Sequence, residues 1–215
     1  PPPPGGPLAI EADASSAAPW WAAAALTGGW VEVENLPRTS RQADAVLADI
    51  LERMGARIGP ASTAHAFRLE GPGVGDLRAP GDVDLSNAPD LLPLVGALGA
   101  VAAGRTRITG VAHARLKESD RLATTAAAVR ALGGRVEVFP ERGEMRLEGG
   151  VLGGGHVDAA GDHRLVLAFG VLGLVVPQTV LCGAEAVAKS HPGFLGELAR
   201  RTGGDAGGEP GRRNG

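Results

Sequence analysis

Apolar positions along the chain recur at two periods. Leu122, Ala126, Val129 and Leu132 fall at three- and four-residue steps and predict a helix over 122–132. Other helices are predicted at Ala17–Leu26, Arg41–Met54, Leu91–Ala103, Leu165–Leu174 and Gly193–Arg200. Asp13-Ala14-Ser15-Ser16 offers caps to the first of these, and Pro19 falls in its opening turn, where a missing N–H costs little. Glycines close the helices at Gly28-Gly29, Gly55, Gly104 and Gly133-Gly134. Trp30–Glu34 alternates as a half-buried strand does, and short strands are expected at Leu8–Ile10, Ala66–Glu70, Val83–Leu85, Thr106–Thr109 and Thr179–Cys182. Arg135–Phe139 and Met145–Glu148 form a β pair around Pro140–Glu144.

The order repeats. Apolar helices start near positions 16, 90 and 164, offsets of 74 residues, and Met54-Gly55-Ala56-Arg57-Ile58 answers to Leu132-Gly133-Gly134-Arg135-Val136 at an offset of 78. Each unit reads helix, strand, helix, strands. The three apolar helices should be buried together with sheets outside, giving one α/β domain of three similar units over residues 8–201. Residues 1–7, rich in Pro and Gly, read as a linker or as the cut end of something longer, and the Gly-rich polar stretch 202–215 as a disordered tail.

Composition narrows the function classes. With 215 residues, 44% hydrophobic and 21% charged, the chain can bury a real core, and with 3% aromatics that core must be Ala, Val and Leu. A net charge of −3 and the lack of a basic stripe with interleaved aromatics argue against nucleic acid. The longest apolar run, Leu165–Pro177, falls short of the roughly 18 residues of a membrane span, and no secretory signal is visible. A single cysteine rules out an intramolecular disulfide and fits a reducing, cytoplasmic setting. Cys182 lies in a strand pattern and is expected as a packed core thiol. Nothing matches a P-loop, a dinucleotide fingerprint, a zinc spacing or a nucleophile elbow.

The candidate chemistry begins at Arg115-Leu116-Lys117-Glu118-Ser119-Asp120-Arg121, which opens a helix. Ser119 or Asp120 can cap that helix, but Lys117 and Arg121 place cations at its positive end, costing about 0.3–1 kcal/mol each. One such heptad is best explained by local pairing on a solvated face. The oddity recurs, however: Asp162-His163-Arg164 precedes the buried helix of the third unit, and Lys189 precedes the last helix. Singly, Asp162–Arg164 is readable as a local ion pair, His163 as a satisfied core histidine and Lys189 as a surface lysine. Together, at matching places in a repeat, Arg121, Arg164, Lys117 and Lys189 can converge on one anion. Arginines suit bidentate carboxylate or phosphate recognition, and lysines act as point charges. Asp90, Glu118 and His163 would supply proton-transfer groups beside it.

The heptad resembles the R-x-K-E-[ST]-D-R signature of the 5-enolpyruvylshikimate-3-phosphate synthase family. Asp13-Ala14-Ser15-Ser16-Ala17 is similar to that family's D-x-S-S-A, Asn87-Ala88-Pro89-Asp90 to its I-P-D, Asp162-His163-Arg164 to its D-H-R, and Lys189-Ser190-His191-Pro192-Gly193-Phe194 to its K-[ST]-F-P-x-F. The resemblance spans about residues 8–201. It implies an inside-out α/β barrel domain of three repeated helix-and-sheet units, one of the two domains of such enzymes. The implied reaction moves the enolpyruvyl group of phosphoenolpyruvate to the 5-hydroxyl of shikimate 3-phosphate by addition and elimination, without metal or organic cofactor.

By motif position, Asp90 would take the hydroxyl proton and Lys117 act as an acid near the bridging oxygen. Glu118 would exchange the methylene proton. Arg121, Arg164 and Lys189 would hold phosphoenolpyruvate, with His163 alongside and Asp13 and Asp162 as supporting carboxylates. The family's N-terminal half, with its glycine-serine-lysine-serine segment, is not in this sequence, so a complete site is expected only with such a partner. Ala12, Ala88, His191 and Gly193 depart from the family pattern without removing a proposed catalytic group. Two other readings stand beside this one: a sister enolpyruvyl transferase acting on a UDP-linked amino sugar, and a non-catalytic anion-binding remnant.

Overall fold

A computed structural model describes residues 10–63 and 65–203. The strand expected at Leu8–Ile10, apart from Ile10 itself, the Pro/Gly-rich start and residues 204–215 lie outside the described residues.

Helix α1, Ala14–Thr27, is capped by Asp13, whose carboxylate accepts from the backbone N–H of Ser15 and Ser16, and is closed by Gly28 at φ 75°. That left-handed turn suits a residue without Cβ. Strand β1 is Trp30–Val33. A 3₁₀ turn at Ala43–Val46 leads into α2, Leu47–Arg53. Strands β2, Arg57–Gly59, and β3, Phe67–Glu70, follow, and β1-β3-β2 form an antiparallel sheet.

Strand β4, Gly81–Asp84, precedes a 3₁₀ turn at Pro89–Leu91 and helix α3, Leu92–Val101; β5 is Arg105–Thr109. A 3₁₀ segment at Ala112–Leu116 precedes α4, Arg121–Ala131, and the hairpin β6, Arg135–Phe139, and β7, Glu144–Glu148. This sheet runs β4-β5-β7-β6, with β4 and β5 parallel and the rest antiparallel. The third unit has β8, Gly155–Asp158, then α5, His163–Leu172, then β9, Thr179–Cys182, parallel to β8. A 3₁₀ segment at Ala184–Lys189 precedes α6, Phe194–Thr202.

Helices α1, α3 and α5 contact one another at the centre and the three sheets lie around them, as the repeat predicts. Residues Leu92 to Ala100 of α3 are all buried, so no face of that helix reaches water. Each fully buried leucine there contributes about 1.5–3 kcal/mol. Close backbone approaches complete the packing. A Cβ on Gly71 would lie 1.8 Å from the Ala24 carbonyl oxygen, so only glycine lets the end of β3 lie against α1.

The structure corrects several sequence expectations. Strands β2 and β8 were missed because three or four residues show too little alternation to stand out. The Arg41–Met54 helix is a 3₁₀ turn followed by a shorter α-helix. Thr202 belongs to α6 rather than to the tail. Cys182 is exposed, not a core thiol: β9 ends a two-stranded sheet, and Val180 and Cys182 share its outer face. No helix among the described residues is long and apolar enough to cross a membrane.

Candidate active site

Three helix starts meet on one face. Asp90 lies in the 3₁₀ turn that opens α3, Arg121 is the first residue of α4, and His163 and Arg164 are the first two of α5. Each start is held locally. Asp120 caps α4 through the Ala123 N–H, at 3.0 Å. Asp162 caps α5 through the Arg164 N–H, at 2.9 Å. The 3₁₀ segment that presents Lys117 rests on the β6–β7 turn, where Val111 N–H donates to the Gly143 carbonyl and Gly143 adopts φ 55°. A Cβ on Gly143 would lie 2.3 Å from Ala112 N.

Arg121 is the hub. Its side chain is 1% exposed and serves three carboxylates. Nε donates to Asp162 Oδ2 at 2.8 Å and Nη2 to Asp162 Oδ1 at 3.3 Å, a bidentate pair. Nη1 donates to Asp90 Oδ1 at 2.6 Å, and Nη2 also to Glu118 Oε2 at 2.8 Å. A buried guanidinium without such partners would cost several kcal/mol. Burial by itself lowers the Arg121 pKa, but the bonds and charges of Asp162, Asp90 and Glu118 outweigh it and raise it above its ordinary value. Asp162, fully buried, also accepts from Ser119 Oγ at 3.0 Å.

The other cations attach to the same carboxylates. Lys117 Nζ is 3.2 Å from Asp90 Oδ1, and Lys189 Nζ donates to Glu118 Oε1 at 3.0 Å. Arg164 is held more loosely, Nη2 to Asp90 Oδ2 at 3.3 Å and Nη1 to Asp44 Oδ2 at 3.4 Å, while its buried Nε has no partner among the described residues. Four cations and four carboxylates thus form one continuous, formally neutral network.

Titration follows from this geometry. Burial raises the Asp90 pKa, but Arg164, the Lys117 hydrogen bond and Arg121 together bring it below its ordinary value. Glu118 is held down at about 2, first by its bond from Lys189. Burial lowers the His163 pKa and the charge of Arg164 adds to that, so His163 is neutral near pH 7. Its Nδ1 stands 4.0 Å from Asp162 Oδ1, beyond hydrogen-bond reach, and has no partner among the described residues. For Asp13 burial again raises the pKa, but the bonds from Ser16 and Ser15 prevail and lower it.

Of the nine residues singled out in the sequence, seven join the network: Asp90, Lys117, Glu118, Arg121, Asp162, Arg164 and Lys189. His163 flanks it. Asp13 caps α1, with its bonds going to its own helix start. Sequence reasoning missed Ser119 and Asp44. Asp44 had a signal: it occupies the apolar stripe of Leu47, Ala48 and Leu51, where a carboxylate is out of place. His191, at odds with the family pattern, sits in an aromatic cluster with Trp20 and Phe194, ring centroids 6.2 and 5.2 Å away, beside the segment that presents Lys189.

A cleft of about 220 Å³ opens beside Asp90 and Lys117, lined also by Ser15, Gln42, Asp44 and Asn87. The larger hollow, about 820 Å³, lies over the outer face of the four-stranded sheet. There Arg107 and Arg146 are already paired with the buried Glu144, and Arg135 with Glu148. Its two members of the ion-pair network, Asp90 and Lys117, and not its size, make the smaller cleft the candidate site.

The model of the family described as EPSP synthase (3-phosphoshikimate 1-carboxyvinyltransferase) matches residues 3–198. A curated relative of that name from Methanothermobacter thermautotrophicus is 45% identical over 187 residues, covering 86% of this chain and 42% of its own. Another from Methanoregula boonei is 39% identical over 191 residues, covering 89% and 44%. The chain therefore spans under half the length of these relatives. Among solved structures, an EPSP synthase from Acinetobacter baumannii superposes with a TM-score of 0.73 at 26% identity, over 90% of this chain and 46% of that one. The enolpyruvyl transferase NikO from Streptomyces tendae gives a TM-score of 0.67 at 22% identity over 89% and 43%, a likeness of fold alone.

Proposed function

Because the chain belongs to the EPSP synthase family, we propose that it is the C-terminal catalytic domain, residues 8–201, of a 3-phosphoshikimate 1-carboxyvinyltransferase. The observation that carries this reading is the convergence of Asp90, Lys117, Glu118, Arg121, Arg164 and Lys189, drawn from four separate motifs, into one network.

In the forward reaction the 5-hydroxyl oxygen of shikimate 3-phosphate bonds to C2 of phosphoenolpyruvate while the methylene carbon gains a proton. Asp90, ionised and beside the cleft, accepts the hydroxyl proton. Glu118 stands as donor to the methylene. In the elimination that follows, the methyl group returns a proton to Glu118, the C2–O bond to phosphate breaks, and Lys117 protonates the departing oxygen. Arg164, Arg121 and Lys189 bind the donor's carboxylate and phosphate, and His163, neutral, offers a hydrogen bond beside them.

Charge supports two further parts of this reading. Glu118 bridges Arg121 and Lys189, the place an anion would take between two cations. Held down at about 2, it is ionised in this geometry, so to act as donor it must first take a proton from solvent, which the loss of the Lys189 bond to the ligand's phosphate would ease. A network already neutral also has no spare positive charge for a phosphate and a carboxylate together. Additional cations must come from elsewhere, which favours an N-terminal domain closing over this face. Leu116, 88% exposed next to Lys117, suits such a covered surface.

The test is acceptor choice. Reconstituted with an N-terminal half from a relative, the chain is expected to release phosphate from phosphoenolpyruvate with shikimate 3-phosphate and not with UDP-N-acetylglucosamine. The reverse preference would overturn the assignment.

A further inference from the structure

We propose that Asp44 is a positioning residue for Arg164, holding its guanidinium in the plane that meets the anionic ligand. The inference rests on the reading of the site given above.

Three observations carry it. Asp44 is 6% exposed in the 3₁₀ turn Ala43–Val46, on the face that one and two turns later buries Leu47, Ala48 and Leu51. Burying a carboxylate costs several kcal/mol unless it is paired, and an apolar residue would serve packing better there. Its Oδ2 has two partners from different units: Ser15 Oγ in the first turn of α1, at 2.5 Å, and Arg164 Nη1 at the start of α5, at 3.4 Å. Ser15 thereby fixes the oxygen that faces the arginine.

Arg164 depends on that oxygen. Arg121 donates four bonds to three carboxylates, whereas Arg164 has one charged partner on each terminal nitrogen and, among the described residues, none on Nε. Without Asp44 only Asp90 would restrain the plane, and Asp90 is shared with Arg121 and Lys117. Asp44 and Glu118 each accept from an arginine at a helix start, Arg164 and Arg121.

The experiment is a double-mutant cycle on the full chain, complemented with an N-terminal half and titrated with phosphoenolpyruvate. Asp44→Asn, which keeps shape and loses charge, is expected to weaken binding about tenfold, the scale of a charged hydrogen bond, with kcat changed less. In the Arg164→Gln background it should cost nothing further. An equal loss in both backgrounds would show that Asp44 acts elsewhere and overturn the proposal.

A second readout needs neither binding nor turnover. In the chain alone, NMR signals of the Arg164 Nη groups should be split by hindered rotation and collapse in Asp44→Asn. Unchanged splitting would also overturn it. If the unsubstituted protein fails to bind phosphoenolpyruvate while the Nη signals collapse as expected, the functional reading fails and the positioning role stands.

Discussion

Lys189 donates to Glu118 across 3.0 Å, joining the 3₁₀ segment before the last helix to the residue third before Arg121. That bond ties the third unit to the second and is the largest influence lowering the Glu118 pKa.

Acid unfolding should register this. The Glu118 pKa is depressed to about 2 in the folded chain, so its contribution is fully present above the ordinary carboxylate value of about 4.5 and is lost as pH falls through about 2. Within that window the unfolded chain binds more protons, and stability rises with pH. Glu118→Gln is expected to reduce the slope of Tm against pH between about 4.5 and 2, measured by calorimetry. The remaining slope includes Glu144, held at about 2 chiefly by Arg107. An unaltered slope would contradict the pairing.

Removing one partner of the buried pair should be costly. Asp162→Ala strips Arg121 of its bidentate acceptor and removes the cap of α5, leaving a guanidinium 1% exposed with two carboxylates instead of three. A loss of about 3–5 kcal/mol is expected from urea unfolding. A change under about 1 kcal/mol would mean that water replaces Asp162 readily.

Packing at the end of β3 can be tested without touching the site. Gly71→Ala forces a methyl into the Ala24 carbonyl, 1.8 Å from where a Cβ would stand. An expected loss of about 1–3 kcal/mol follows from overpacking against backbone that cannot yield. A neutral result would show that α1 and β3 are less closely seated.

Much of the fold was legible because the signals were local and repeated. Asp13 before Ser15-Ser16 gave the cap of α1, Gly28 its end, and the 74-residue period the central helices. Cys182 was misread because a strand pattern does not say whether a second sheet face is covered. In the site, the helix-start cations were Lys117, Arg121, Arg164 and Lys189, Asp90 and Glu118 were read as acid/base groups beside them, and Asp162 entered only through the family resemblance. Local pairing within the heptad was legible, and Arg121 with Glu118 bears it out, but three pairings cross between units and could not be read: Arg121 with Asp162, Arg164 with Asp44, Lys189 with Glu118. Asp44 was hidden as one acid in an amphipathic run, although its place on the apolar stripe marked it.

The role proposed for this chain is that of one catalytic half of a two-domain transferase. Its most direct test is phosphate release from phosphoenolpyruvate plus shikimate 3-phosphate, run with the chain alone, with an N-terminal half alone, and with both. Turnover is expected only with both, and Asp90→Ala should abolish it while leaving the chain folded by circular dichroism. Full turnover by the chain alone, or no turnover from a folded mixture, would contradict the account.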